Sequence, residues 1–111
     1  MTYDPDQLVP VDGAAWWRLL HVLGPGVIPP RSLMRDVAAE LRIEAARAGG
    51  GGAITLDLGA LARWVGISEP GIMVELERLA ALGLVRQRPD RPEAWELTMA
   101  PGHADLLRAA G

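Results

Sequence analysis

Two histidines, His21 and His103, are the only side chains of this chain whose ordinary titration falls near neutrality, so general acid–base chemistry would have to run through one of them. Neither stands in a pattern that activates it. His21 follows the Trp16-Trp17 pair and His103 precedes Asp105 by two residues, which predicts surface or capping roles. Glu75 and Glu77 are two apart on a predicted helix and point to different sides, so they cannot form a catalytic dyad by themselves. Glu40 and Glu44, one helical turn apart, could reach a common metal ion, but no histidine or third acid shares their register. The chain contains no lysine, which removes the usual phosphate-binding loop and Schiff-base chemistry, and no cysteine, which removes disulfides and thiolate metal or redox sites. These residues predict a non-enzyme without metal or cofactor.

Binding chemistry is better supplied. Arg86, Arg88 and Arg91 against Asp90 leave a local charge of +2 between Val85 and Pro92, and Arg86 and Arg88, two apart in an extended segment, share one strand face. Such a pair could hold a phosphate or enter a minor groove, or be a solvated hairpin tip. The net charge is −3, so a polyanion could be met only on a local surface of this kind.

Caps and periodicity predict the elements that would carry these groups. Asp57 caps a short helix in which Leu58, Leu61, Ala62 and Val65 recur on one face. Gly66 supplies a turn where positive φ carries no Cβ penalty, Ile67 fills the angle between two helices, and Ser68 caps a second helix with Pro70 in its first turn. Ile72, Leu76, Leu79 and Leu82 form the core stripe of that helix, and Gly83 ends it. Leu84 to Arg88, the turn chemistry of Pro89 to Pro92, and Ala94 to Thr98 predict a β-hairpin.

Upstream, Pro5 and Pro10 predict an extended arm over residues 1–11, either lying on the domain or loose. Asp12 caps a helix over 13–23 with Trp16, Leu19, Leu20 and Leu23 on one face. Ser32 caps a longer helix to about Ala48, with Met34, Val37, Ala38, Leu41, Ala45 and Ala48 inward and Arg35, Asp36, Glu40, Arg42, Glu44 and Arg47 on a solvated face. Gly49 to Gly52 read as a flexible connector, and Ala53 to Leu56 as a strand that pairs with the hairpin. Pro101 to Ala110 predict two turns of helix with Leu106 and Leu107 facing inward. With 111 residues, half of them hydrophobic, one domain is expected: an arm and helix over 1–31, a core over 32–98 and a short helix over 99–111. No hydrophobic run reaches membrane-spanning length and Asp4 and Asp6 stand near the N-terminus, which predicts a cytoplasmic protein with no membrane partner. The lack of lysine, asparagine and phenylalanine beside abundant Ala, Gly, Pro and Arg suits a GC-rich bacterial genome.

The strings LARWVGIS, VELERLAALGLVRQR and WELTMAPGHADLL together resemble the winged helix-turn-helix regulators of bacteria, and the last resembles the strand end of MarR-like and PadR-like members, with one residue more than usual between Thr98 and Gly102. The resemblance covers about half the chain and implies a mainly α fold with a small β-wing: a three-helix core, an N-terminal helix and a short C-terminal helix. It implies transcription regulation through sequence-specific binding of double-stranded DNA. Glu69, Gly71, Met73, Val74 and Arg78, with Pro70 and Glu77, would then face the major groove, and Arg86, Arg88 and Arg91 the backbone or minor groove. It also implies a homodimer. The last helix is too short to build one alone, so Trp16 and Leu20 in the first helix, with the outward Trp64, become the dimer or partner candidates, unless the Trp16 stripe is ordinary core and Trp64 packs under the N-terminal arm. The rival expectation is a protein-interaction module, a small subunit of a replication, phage or regulatory assembly. Its docking face would be Met73 and Val74 encircled by Glu69, Glu75 and Glu77, unless Met73 and Val74 pack against the N-terminal helix.

Overall fold

Short side chains with an oxygen at the right position start four helices. Asp12 accepts from the Ala15 N–H at 2.8 Å and opens α1, Gly13–Leu23. Ser32 accepts from Arg35 N–H at 3.2 Å before α2, Leu33–Arg47. Asp57 accepts from Ala60 N–H at 3.1 Å before α3, Leu58–Val65, and Ser68 from Gly71 N–H at 3.2 Å before α4, Glu69–Ala81. Each bond satisfies one of the amides a helix start leaves unpaired. The computed structural model describes residues 3–110.

The rest of the order is β1 (Val9–Pro10) before α1, β2 (Ala53–Thr55) between α2 and α3, then β3 (Val85–Arg88), β4 (Arg91–Met99) and α5 (His103–Ala110) after α4. The strand β4 is central and pairs antiparallel with β1, β2 and β3. The result is a helix-rich α/β fold with a β-hairpin, and its sheet is larger than a two-stranded hairpin. The arm is a 3-10 turn at Pro5–Gln7 followed by β1, so it lies on the domain as a strand.

Three expectations change, the first because long-range partners override local composition. Gly49 to Gly52 is pinned: Gly50 O accepts from Gly13 N–H at 3.0 Å, and Gly52 O accepts from Leu97 N–H at 2.8 Å. A Cβ on Gly52 would stand 2.4 Å from Val11 O, so the glycine is required by the close passage of two backbones. The C-terminal stripe is half right, since Leu107 packs against the core while Leu106 is 44% exposed. Ala48 is the exposed C-cap of α2 and not part of its inward face.

One cluster joins Trp16, Leu19 and Leu20 of α1, Val37 and Leu41 of α2, Leu61 of α3, Ile72, Leu76 and Leu79 of α4, and Trp95 and Leu97 of β4. Trp16 and Leu20 therefore give no surface to a dimer, being 0% and 1% exposed inside their own chain. The Trp16 indole N–H donates to Leu84 O at 2.7 Å, tying α1 to the segment that leads into the hairpin.

Candidate functional site

The turn between α3 and α4 aims the second helix. Gly66 takes φ 85°, ψ 29°, and its N–H and that of Ile67 both return to Ala62 O, at 2.8 and 3.1 Å. Two amides thus close on the end of α3 while the left-handed glycine reverses the chain. Ile72, Leu76 and Leu79, all fully buried, fix the inner face of α4 against α2 and α3. Burial of this kind stabilises by roughly 1.5–3 kcal/mol per side chain, enough to hold the opposite face in one orientation.

That opposite face presents Glu69, Pro70, Glu77 and Arg78 as exposed residues and Val74 at 45% exposure. Gly71 is half-buried, and a Cβ there would meet Ile67 Cδ1 at 3.2 Å, so its small size serves the packing of the turn. Met73 is partly buried against the core and, with Leu56, Leu58, Gln87, Pro92, Glu93 and Trp95, lines a cleft of about 390 Å³ between α4 and the hairpin. It does not lie on α1. Glu75 is 3% exposed and so is not part of an acidic ring around Val74. Its Oε1 accepts from Arg78 Nη1 at 2.7 Å, which holds the 60% exposed guanidinium on the helix surface, while its buried Oε2 has no partner among the described residues.

The hairpin separates its three arginines. Arg86 Nη1 donates to Pro5 O at 2.8 Å and to Leu8 O at 3.2 Å, and Nη2 donates to Glu96 Oε1 at 3.2 Å. Its side chain is 22% exposed and acts as the clasp on the N-terminal arm, so it is not free for a phosphate. A register shift between Gln87 and Arg88 also breaks the alternation that would have put Arg86 and Arg88 on one face. Arg88 pairs with Asp90 at 3.5 Å and Arg91 with Glu93 at 3.4 Å, with all four side chains about half exposed or more. Exposed pairs of this length contribute at most about 1 kcal/mol, so Arg88 and Arg91 can exchange their acids for another anion. The +2 counted to Pro92 falls to zero once Glu93 and Glu96, brought across by the long β4, are included.

Trp64 is 74% exposed on α3, and the N-terminal arm does not cover it. Beside it Glu40, Glu44 and Asp57 line a small groove of about 110 Å³ with Arg47, whose guanidinium is held by Glu44 at 2.8 Å. His21 is exposed, with Nδ1 2.8 Å from Trp17 O. His103 is capping but buried: its Nδ1 accepts from Ala100 N–H at 3.0 Å, which requires the neutral ring. Burial pulls its pKa below 6.5, in the same direction. Among the described residues neither imidazole forms a hydrogen bond or ion pair with a carboxylate. No local signal marks the burial of Glu75 or the clasp role of Arg86, because both depend on residues far away in the chain. No family model, curated protein or solved structure matches this chain.

Proposed function

We propose that the chain is a winged helix-turn-helix protein that binds double-stranded DNA in a sequence-specific manner and regulates transcription in the bacterial cytoplasm. The observation that carries this is the arrangement of α4: its inner stripe is buried, its outer face projects from the domain, and the β3–β4 hairpin borders the same cleft through Gln87, Pro92 and Trp95. A major groove about 12 Å wide admits one such helix, and a hairpin beside it would meet the flanking backbone. In this mechanism Val74 and the exposed part of Met73 touch thymine methyl groups, Glu69 accepts from a cytosine amino group, and Arg78, pre-set by Glu75, donates to a base edge or phosphate. Arg88 and Arg91 serve as backbone contacts; Arg86 does not. Two copies paired about a two-fold axis would read a two-fold operator, and Trp64 is the dimer candidate that keeps an exposed surface.

Selection from a random-sequence duplex pool at about 0.1 M salt tests this. Enrichment of a common sequence, lost in Val74→Ser with the fold intact, is expected; no enrichment would remove DNA reading from the proposal. The second reading, a protein-interaction module, is favoured by one observation, the 74% exposed Trp64 beside a groove with three carboxylates. It is favoured over the first if Trp64→Ser abolishes retention of a basic protein partner while no duplex is retained by the unmodified chain.

A further inference from the structure

Six of the eleven arginines are ion-paired among the described residues: Arg47, Arg78, Arg86, Arg88, Arg91 and Arg108. Of the five that are not, Arg18, Arg31, Arg35 and Arg42 belong to α1, α2 or the turn between them. Two of these are organised by an aromatic ring. The guanidinium carbon of Arg35 lies 4.6 Å from the centre of the Trp17 indole, and that of Arg42 lies 5.4 Å from it. Seven residues along one helix separate the two arginine backbones by about 10.5 Å, which leaves room for the indole between the guanidinium groups. His21 meets the same ring edge-on at 5.3 Å and turns Nδ1 to Trp17 O at 2.8 Å, so Nε2 is its unused nitrogen. Arg18, one residue after Trp17, is exposed.

We infer that this α1–α2 edge, with Arg35 and Arg42 stacked on Trp17 and Arg18 beside them, is a contact surface for the phosphate backbone of duplex DNA, and that it supplies more of the salt-dependent binding than the hairpin does. The inference rests on the DNA-binding reading of α4. A guanidinium held against an indole loses less freedom when it meets an anion and presents a fork that fits phosphate oxygens. The nearest acids do not cancel it. Asp36, adjacent to Arg35, points to a different side of α2, and Glu40 and Glu44 line the groove beside Trp64. A protein partner would need an apolar anchor in the contact, whereas the half-buried Trp17 already lies under two cations, and the exposed apolar residues of α2 face elsewhere: Ile43, 40% exposed, lies about 80° around the helix from Arg35 and about 100° from Arg42, and Leu33, 43% exposed, about 160° from Arg35. Contact through charge alone is what a phosphate backbone offers.

The test measures retention of two duplexes of equal length, the selected sequence and an unrelated one, across a salt series. The chains compared are the unmodified protein, R35A/R42A, R35K/R42K and R88A/R91A. Loss of two backbone contacts should lower the slope of log affinity against log salt by about 2 and weaken binding on the order of 10- to 100-fold at about 0.1 M salt, equally for both duplexes. R35K/R42K, which keeps the charges, should retain most of the slope, an outcome that a role confined to packing on Trp17 would not produce. R88A/R91A should change the slope less than R35A/R42A does. Retention of the selected duplex with an unchanged slope in R35A/R42A overturns this inference and leaves the α4 reading standing. Retention of neither duplex by the unmodified protein overturns both. Salt-sensitive capture of polyglutamate through Arg35 and Arg42, without duplex retention, would assign the edge to an acidic protein and overturn it as well.

Discussion

Arg86→Ala separates a clasp from a DNA contact. The substitution removes two charge-assisted hydrogen bonds, to Pro5 O and Leu8 O, and an ion pair to Glu96 in which the two side chains are 22% and 17% exposed. Hydrogen bonds from a charged donor contribute about 1.5–3 kcal/mol each when shielded, and the Pro5 bond, being exposed, contributes less. Glu96 also loses the cation beside it in a half-buried position. The expected loss is therefore about 2–3 kcal/mol, which for a domain of this size is a fall in Tm of about 10 °C. The arm should loosen first: Val11 N–H, bound to Leu97 O at 3.0 Å where the arm reaches β4, should exchange faster than amides of α4. Arg88→Ala, which removes one exposed 3.5 Å pair, should cost no more than about 0.5 kcal/mol. Thermal melts and amide exchange on both variants provide the assay. An Arg86→Ala protein that melts like the unmodified chain with Val11 still protected, yet has lost duplex binding, would refute the clasp and return Arg86 to the interface.

Other positions give equally direct checks. Gly83→Ala should cost about 3 kcal/mol, since φ is +79° and the new Cβ would stand 2.7 Å from Ala100 Cβ, whereas Gly66→Ala, at φ +85° with open space around it, should cost only about 1–2 kcal/mol. Equal urea midpoints for the two would contradict the crowding at Gly83. Glu75→Met should be neutral or stabilising because it removes a buried carboxylate with an unpaired oxygen, while Arg78→Ala should destabilise by about 2 kcal/mol by leaving that carboxylate alone; the reverse order in denaturant melts would sink this account. The lowered pKa of His103 means that the unfolded chain takes up a proton before the folded one does. Its contribution is full above pH 6.5, declines as pH falls below that value and levels off below the folded pKa. His103→Gln should therefore lose less stability than the unmodified chain between about pH 7.5 and about pH 5, and equal losses would argue against it.

Features set within four residues were legible in the sequence. Asp12, Ser32, Asp57 and Ser68 cap because an oxygen stands three residues before an amide that needs it, and Gly66 turns because its neighbours demand a left-handed residue. What depends on distant chain was not. Gly49 to Gly52 have the composition of a loose linker, and only the approach of Val11 and Leu97 makes Gly52 a packing position. Glu75 lies beside the Ile72–Leu76–Leu79 stripe, and whether such a flanking position is wet or buried is decided by the segment across from it, here Pro29 to Met34 at the start of α2. The charge of +2 between Val85 and Pro92 does not describe the hairpin, because the strand continues to Met99 and carries Glu93 and Glu96 with it.

The mixed charges of α2 show how a face that looks uniformly solvated in sequence becomes two surfaces in space. At 100° per residue, Arg35 and Arg42 lie within about 20° of each other around the helix, as Glu40 and Glu44 lie within about 40°, while the step from Arg35 to Glu40 is about 140°. The contacts agree with that division, since the arginines stack on Trp17 of α1 and the glutamates line the groove of Trp64 on α3. One helix thus separates a cationic edge from an anionic one, and a net charge of −3 describes neither. An approaching polyanion would be attracted to the first and repelled by the second, so the field would orient the domain before any close contact forms. Such orientation acts on the association rate and is screened over about 10 Å at 0.1 M salt. Glu40→Gln together with Glu44→Gln should accordingly speed duplex association at low salt and leave dissociation unchanged, as measured by stopped-flow mixing; a change confined to dissociation would show that the acidic edge touches the duplex directly.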